Sequence, residues 1–178
     1  KKEYFMIQPS PCNKLIKREI IVEREMYFPL GRIYEDLAVV PAWGIYAKRI
    51  SYVNEPLYNY LVREGSTMNQ IKYNPKMEDI FFSIQHLENQ FDNAKLVEMY
   101  KCEIEYIYIY HFLHSAALRF LAFEEGKPHI KKIVEVMKKK FPKWRNNVYY
   151  KSHGIKYKIV CNLIFMQKTW LLRKMLKR

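Results

Sequence analysis

The 178-residue chain lacks the patterns that would assign it quickly. It has three cysteines, Cys12, Cys102 and Cys161. The number is odd, they lie far apart, and no Cys-x-x-Cys pairing occurs. They therefore read as free thiols in a reducing compartment, which argues against a disulfide framework or a thiolate zinc site. No uncharged run is long enough for a membrane span. The longest, Tyr106 to Leu118, has thirteen residues where a span needs about 20. No secretory signal opens the chain, and there is no internal repeat or low-complexity stretch. Acidic residues are scarce at one end: residues 128–178 hold 15 Lys/Arg against Glu135 alone, whereas residues 1–127 hold 16 against 17 acids. The net charge of +13 thus belongs to the C-terminal third.

What is present argues for a folded domain. Apolar residues make up 49% of the chain, enough to exclude disorder. The key stretch is Gly31-Arg-Ile-Tyr-Glu-Asp-Leu-Ala-Val-Val-Pro41, which predicts a helix over about 35–47 that opens on Glu35 and Asp36. Carboxylates are favoured there because unpaired backbone N–H groups carry partial positive charge. Helix capping is therefore the plain reading of the pair. Upstream, Pro9 and Pro11 break the chain, residues 12–16 are a strand candidate, and a helix is expected over 17–25. Downstream, residues 50–53 and 57–62 have the β-branched and aromatic content of strands, followed by a Gly65-Ser-Thr loop.

From Asn74-Pro75 onward the pattern is helical. Apolar residues at helical spacing predict helices over 76–91 and 128–140, and a long buried helix over 94–123. A basic amphipathic helix is expected over 155–177. His111 and His114 stand one turn apart, which is also metal-ligand spacing. Without a Glu or Cys partner in register they read as packing histidines, as do Tyr106, Tyr108 and Tyr110.

Phe28-Pro-Leu-Gly-Arg-Ile-Tyr-Glu-Asp-Leu-Ala, Ile50-Ser-Tyr-Val-Asn-Glu-Pro-Leu-Tyr-Asn-Tyr and Arg63-Glu-Gly-Ser-Thr-Met, preceded by Pro11-Cys-Asn-Lys-Leu-Ile-Lys-Arg, occur in that order. Together they resemble the second half of bacterial family-two glycosyltransferases, inverting enzymes of GT-A fold that build capsule, exopolysaccharide or lipopolysaccharide. The resemblance implies an α+β, mostly α-helical chain. Residues 1–73 would be the acceptor-side part of a truncated GT-A sheet, and residues 74–178 a helical C-terminal domain. It makes Asp36 the general base and Glu35 its neighbour at the acceptor. Asn13 and Lys14 would lie near the cleft, and Arg63 with Ser66 would approach the donor diphosphate. On the residues alone, Asn13 reads equally as a turn residue, Lys14 as a solvated one and Arg63 as a surface arginine.

The family's nucleotide-binding half and its Asp-x-Asp motif are expected N-terminal to Lys1. The chain opens without Met and reads as mid-domain sequence, so a fragment that is inactive alone is expected. The Mg²⁺ or Mn²⁺ that the resemblance implies would be held by that missing motif, and no metal site is expected in this stretch. Glu64 stands where many relatives carry a metal-binding His. The expected partners are a nucleotide sugar and a saccharide or lipid-linked acceptor, in a cytoplasmic enzyme that can be peripheral on the inner face of the plasma membrane. Residues 155–178 either pack on their own domain or meet an anionic membrane surface.

A rival reading is non-enzymatic. In it Lys138-Lys-Lys140, Trp144, Arg145 and Tyr149-Tyr150 form a basic, aromatic face for nucleic acid. The apolar periodicity of these residues and the lack of a nucleic-acid motif argue against it. A third is a helical domain that mediates homo-oligomerisation.

Overall fold

The computed structural model describes residues 2–61 and 72–176. They are mostly helical, and no strand occurs among them. The expected sheet remnant is therefore not seen. The strand candidates at 12–16, 50–53 and 57–62 are turns and extended chain as far as residue 61, and residues 50–61 are exposed throughout; residue 62 lies outside the described residues. A strand is defined by its hydrogen-bonded neighbour, and β-rich composition without a partner ladder does not make one. The chain divides into two compact units, Lys1–Tyr100 and Lys101–Arg178.

The first unit is built on α2, Glu35–Tyr46. Its nine residues Leu37 to Ile45 are all buried, as expected of a helix that is apolar on every side. Pro41 sits inside it, removing one intrahelical bond. α2 packs along α3, Asp79–Asn93, whose inner face is Ile80, Ile84, Leu87 and Phe91. A 3-10 turn at Lys2–Met6 closes one side. Its Phe5 ring meets Phe91 at 5.4 Å and Tyr100 at 5.0 Å between centroids. The Tyr4 hydroxyl donates to Val40 O at 2.8 Å, with its ring lying where Gly44 has no side chain. The short α1, Arg18–Val22, also contacts α2. Because α3 buries its apolar face on α2, the first unit continues past residue 73 to Tyr100.

The second unit is wound round a continuous stretch that changes pitch. α4, Lys101–Ile107, runs into a π-helix, Tyr108–Ala116, and then α5, Ala117–Leu121. Within the widened turns Ser115 Oγ donates to Tyr110 O at 2.9 Å, five residues back. Packed on this rod are α6, Lys127–Lys140, and α8, Ile155–Phe165. Trp144, Ile133, Val134, Met137, Cys161 and Ile164 are fully buried. α7, Val148–Ser152, begins on Asn147. The Asn147 Oδ1 accepts from the N–H groups of Tyr149 and Tyr150, while Nδ2 donates to Cys102 O at 2.8 Å and Glu105 Oε2 at 2.9 Å. The expected final helix is two: α8 ends, Gln167 adopts φ 56°, and α9 covers Thr169–Leu176. Among the described residues no helix is long and apolar enough to cross a membrane.

Candidate functional site

The start of α2 is shaped by two positive φ angles, Gly31 at 73° and Tyr34 at 61°. For Tyr34, a bulky residue, this is a strained backbone. Tyr34 occupies the N-cap position without capping the helix through its side chain. What holds the turn is α3. Asp79 Oδ2 accepts from Ile33 N at 3.0 Å and Oδ1 accepts from Arg32 Nη1 at 2.8 Å. The Arg32 guanidinium also lies over the Phe82 ring at 4.0 Å. One carboxylate at the N-terminus of α3 thus clamps the loop that presents Glu35 and Asp36.

Glu35 is exposed and Asp36 half-buried. Asp36 Oδ1 accepts from Leu37 N at 2.7 Å, so it satisfies one of the helix's free N–H groups, as the capping reading expects. Burial nevertheless holds the Asp36 carboxyl above the usual range, aided by the Glu35 charge and opposed by the Leu37 N–H and by Lys14. Among the described residues no cation forms an ion pair with Asp36.

Lys14 is near enough for its charge to act on Asp36, but its hydrogens are spent elsewhere. Nζ donates to Gln8 O at 2.8 Å, Ser10 O at 2.7 Å and Asn13 Oδ1 at 2.8 Å. An ammonium has three donors. Lys14 therefore acts on Asp36 through space and fixes the 8–14 turn at the same time. Burial lowers its pKa, with the Asp36 charge working the other way. The fold thus brings Asn13, Lys14, Glu35 and Asp36 to one corner. Arg63 and Ser66 lie outside the described residues.

Cys12 and Tyr58, neither of them an expected site residue, join this corner. The Tyr58 hydroxyl, on the exposed 50–61 segment, is raised by its hydrogen bond to the Cys12 side chain. Arg32 and Asp79 were also missed. The only sequence signal was an acid near the start of a predicted helix, which does not identify a partner 47 residues away.

Among the described residues no three His, Cys, Asp or Glu side chains converge as a metal ion requires. His111 and His114 are both pushed down to about 4, chiefly by burial. His114 stacks on Tyr157 at 4.3 Å, and Tyr157 stacks on His153 at 3.9 Å. His114 thus packs the π-helix against α8. Of the residues of the nucleic-acid reading, Lys138, Lys139, Lys140 and Arg145 are exposed, while the aromatic ones are engaged inside the second unit. Trp144 and Tyr150 are buried, the Tyr149 hydroxyl donates to Glu103 Oε1 at 2.6 Å, and Arg145 lies over the Trp144 and Phe165 rings. No protein-family model, curated protein or solved structure matches the chain.

Proposed function

We propose that the chain is the acceptor-side part of an inverting glycosyltransferase that moves a sugar from a nucleotide sugar to a saccharide or lipid-linked saccharide, in cell-surface polysaccharide synthesis. The observation that carries this reading is the Asp36 carboxylate. It stands at the first turn of a buried helix, half-buried, raised by desolvation and without an ion-pair partner among the described residues. A general base works best when its pKa is drawn toward the working pH.

In this mechanism the acceptor hydroxyl attacks the anomeric carbon as Asp36 takes its proton. The bond from that carbon to the diphosphate oxygen breaks, and configuration inverts. Glu35, exposed beside Asp36, contacts the acceptor. Lys14 and Asn13 fix the turn facing the base and set its local field. Arg63 and Ser66 meet the charge that develops on the departing diphosphate, where a guanidinium can bind in bidentate fashion. Mg²⁺ or Mn²⁺, held by residues outside the described ones, would neutralise the same diphosphate. The described residues do not form such a site.

The exposed 50–61 segment supports the same reading. It leaves Tyr52, Val53, Leu57, Tyr60 and Leu61 more than half exposed, as expected of strands whose pairing partners belong to a nucleotide-binding half. By itself the chain would then be inactive. The test is Asp36→Asn in the full-length protein. Turnover should fall by about 10²–10⁴ with KM for the nucleotide sugar little changed. Transfer at a near-normal rate would remove Asp36 from the chemistry.

A further inference from the structure

α8 carries two apolar sides. Cys161 and Ile164 point into the second unit and are fully buried. Half a turn round the helix, Ile155 and Ile159 face solvent, at 70% and 39% exposure. Met166, at the end of α8, is 52% exposed, and Trp170 on α9 is 64% exposed. α9 is held to its unit by buried Leu172 and by Arg173, which binds Glu124 and the carbonyl of Phe123. Trp170 is therefore outward on an anchored helix, not on a loose end. On a 100°-per-residue wheel Lys156 and Lys158 fall on either side of the Ile155–Ile159 stripe; Lys156 is exposed, and Lys158, half-buried, donates through Nζ to Lys151 O at 2.6 Å, leaving its other hydrogens for a further partner.

From this arrangement we infer that the outer side of α8 and α9 docks on an anionic phospholipid bilayer. An apolar stripe with an outward Trp, edged on both sides by lysine, is the pattern of a helix lying in the membrane interface. Charge selects the occupant. Residues 128–178 carry 15 cations and one acid, so a second copy would bring like charge against like. Nucleic acid would need exposed stacking rings, and apart from Trp170 the aromatic groups here are engaged internally. An anionic lipid surface matches both the lysines and the apolar stripe.

The experiment is co-sedimentation of the full-length protein with vesicles of phosphatidylcholine alone and of phosphatidylcholine mixed with phosphatidylglycerol. The protein should sediment with the anionic vesicles only. Lys156→Gln with Lys158→Gln should lower partitioning about thirtyfold. Ile155→Ser with Ile159→Ser and Trp170→Ser should abolish the part of binding that survives high salt. Circular dichroism checks that each variant folds. If the apolar variant unfolds, the folded lysine variant carries the test. The inference is overturned by absence of sedimentation with anionic vesicles. It is also overturned by binding that the lysine variant leaves unchanged, by binding that a folded apolar variant leaves unchanged, or by single-stranded DNA displacing the vesicles.

Discussion

Asp79 offers the sharpest test of how the α2 corner is held. Replacing it by Ala removes two bonds at once: the Ile33 N–H loses its acceptor at 3.0 Å and Arg32 loses its ion pair at 2.8 Å. Asp79 is only 14% exposed and Arg32 41%. A partly buried N–H left unpaired costs about 1–3 kcal/mol. The ion pair is half in solvent and adds at most about 1 kcal/mol. The favourable position of a carboxylate at the start of α3 adds about 0.5 kcal/mol more. Asp79→Ala should therefore destabilise by about 2–4 kcal/mol. Asp79→Asn keeps one acceptor oxygen and loses the charge, so it should cost about half as much. Arg32→Gln severs the ion pair and the ring contact but leaves Ile33 satisfied, and should cost about 1 kcal/mol. Urea denaturation of the three variants, followed by circular dichroism, gives the ranking. If Arg32→Gln is as damaging as Asp79→Ala, the clamp is electrostatic and the backbone bond to Ile33 is not what holds the loop.

Three further outcomes follow from the same geometry. Because burial raises the Asp36 pKa, the folded state binds more protons than the unfolded one. Stability therefore falls as pH rises from the ordinary carboxyl value of 3.8 through the folded value. Asp36→Asn should then stabilise the protein at neutral pH while removing activity, and a loss of stability would favour a pure capping role; the acid limb of kcat/KM should lie above 3.8. Asn147→Ala removes the cap of α7, takes the acceptor from the Tyr149 and Tyr150 N–H groups and the donor from Glu105 Oε2, for a loss of about 2–4 kcal/mol by thermal or urea unfolding. Asn147→Asp keeps the accepted bonds but sets a charge against Glu105, so its stability should recover as pH is lowered. Gly44→Ala drives a methyl to 2.4 Å from the Tyr4 ring, costing about 1–3 kcal/mol of overpacking against about 1 kcal/mol gained in helix propensity; nuclear magnetic resonance should show the Tyr4 ring displaced.

The α2 helix was legible because its signals agree: Pro29 and Gly31 before it, acids at its first turn and an unbroken apolar body. The helices 79–93 and 127–140 follow equally from spacing. The extended segment at 50–61 was not legible as what it is. Its Ile, Tyr and Val content describes a surface suited to pairing, and composition does not report whether a neighbour is there. The long helix expected over 94–123 misses the start at Lys101 and the π-helical centre, because a run that is apolar on all sides carries no phase from which a widened turn can be read. The break at Gln167 has no Gly or Pro to announce it. At the candidate site, Asn13, Lys14, Glu35 and Asp36 came from a resemblance of ordered motifs. Nothing in spacing joins residue 14 to residue 36. Arg32 with Asp79, and Cys12 with Tyr58, come together only through tertiary packing.

The π-helix has a geometric effect on the second unit. At ordinary helical pitch, residues four apart drift sideways round the rod, and a row such as Tyr106, Tyr110 and His114 would wind away from a straight neighbour. The wider turns between 108 and 116 slow that drift. The three rings can then share a face with His153 and Tyr157, and Tyr106 reaches the His153 ring nitrogen at 2.7 Å. Tightening these nine residues to normal pitch without removing any would rotate everything beyond them out of register. Phe120 and Leu121, now interior, would turn outward. The loosened winding is what keeps the two ends of that rod in rotational agreement with the helices that lie against it.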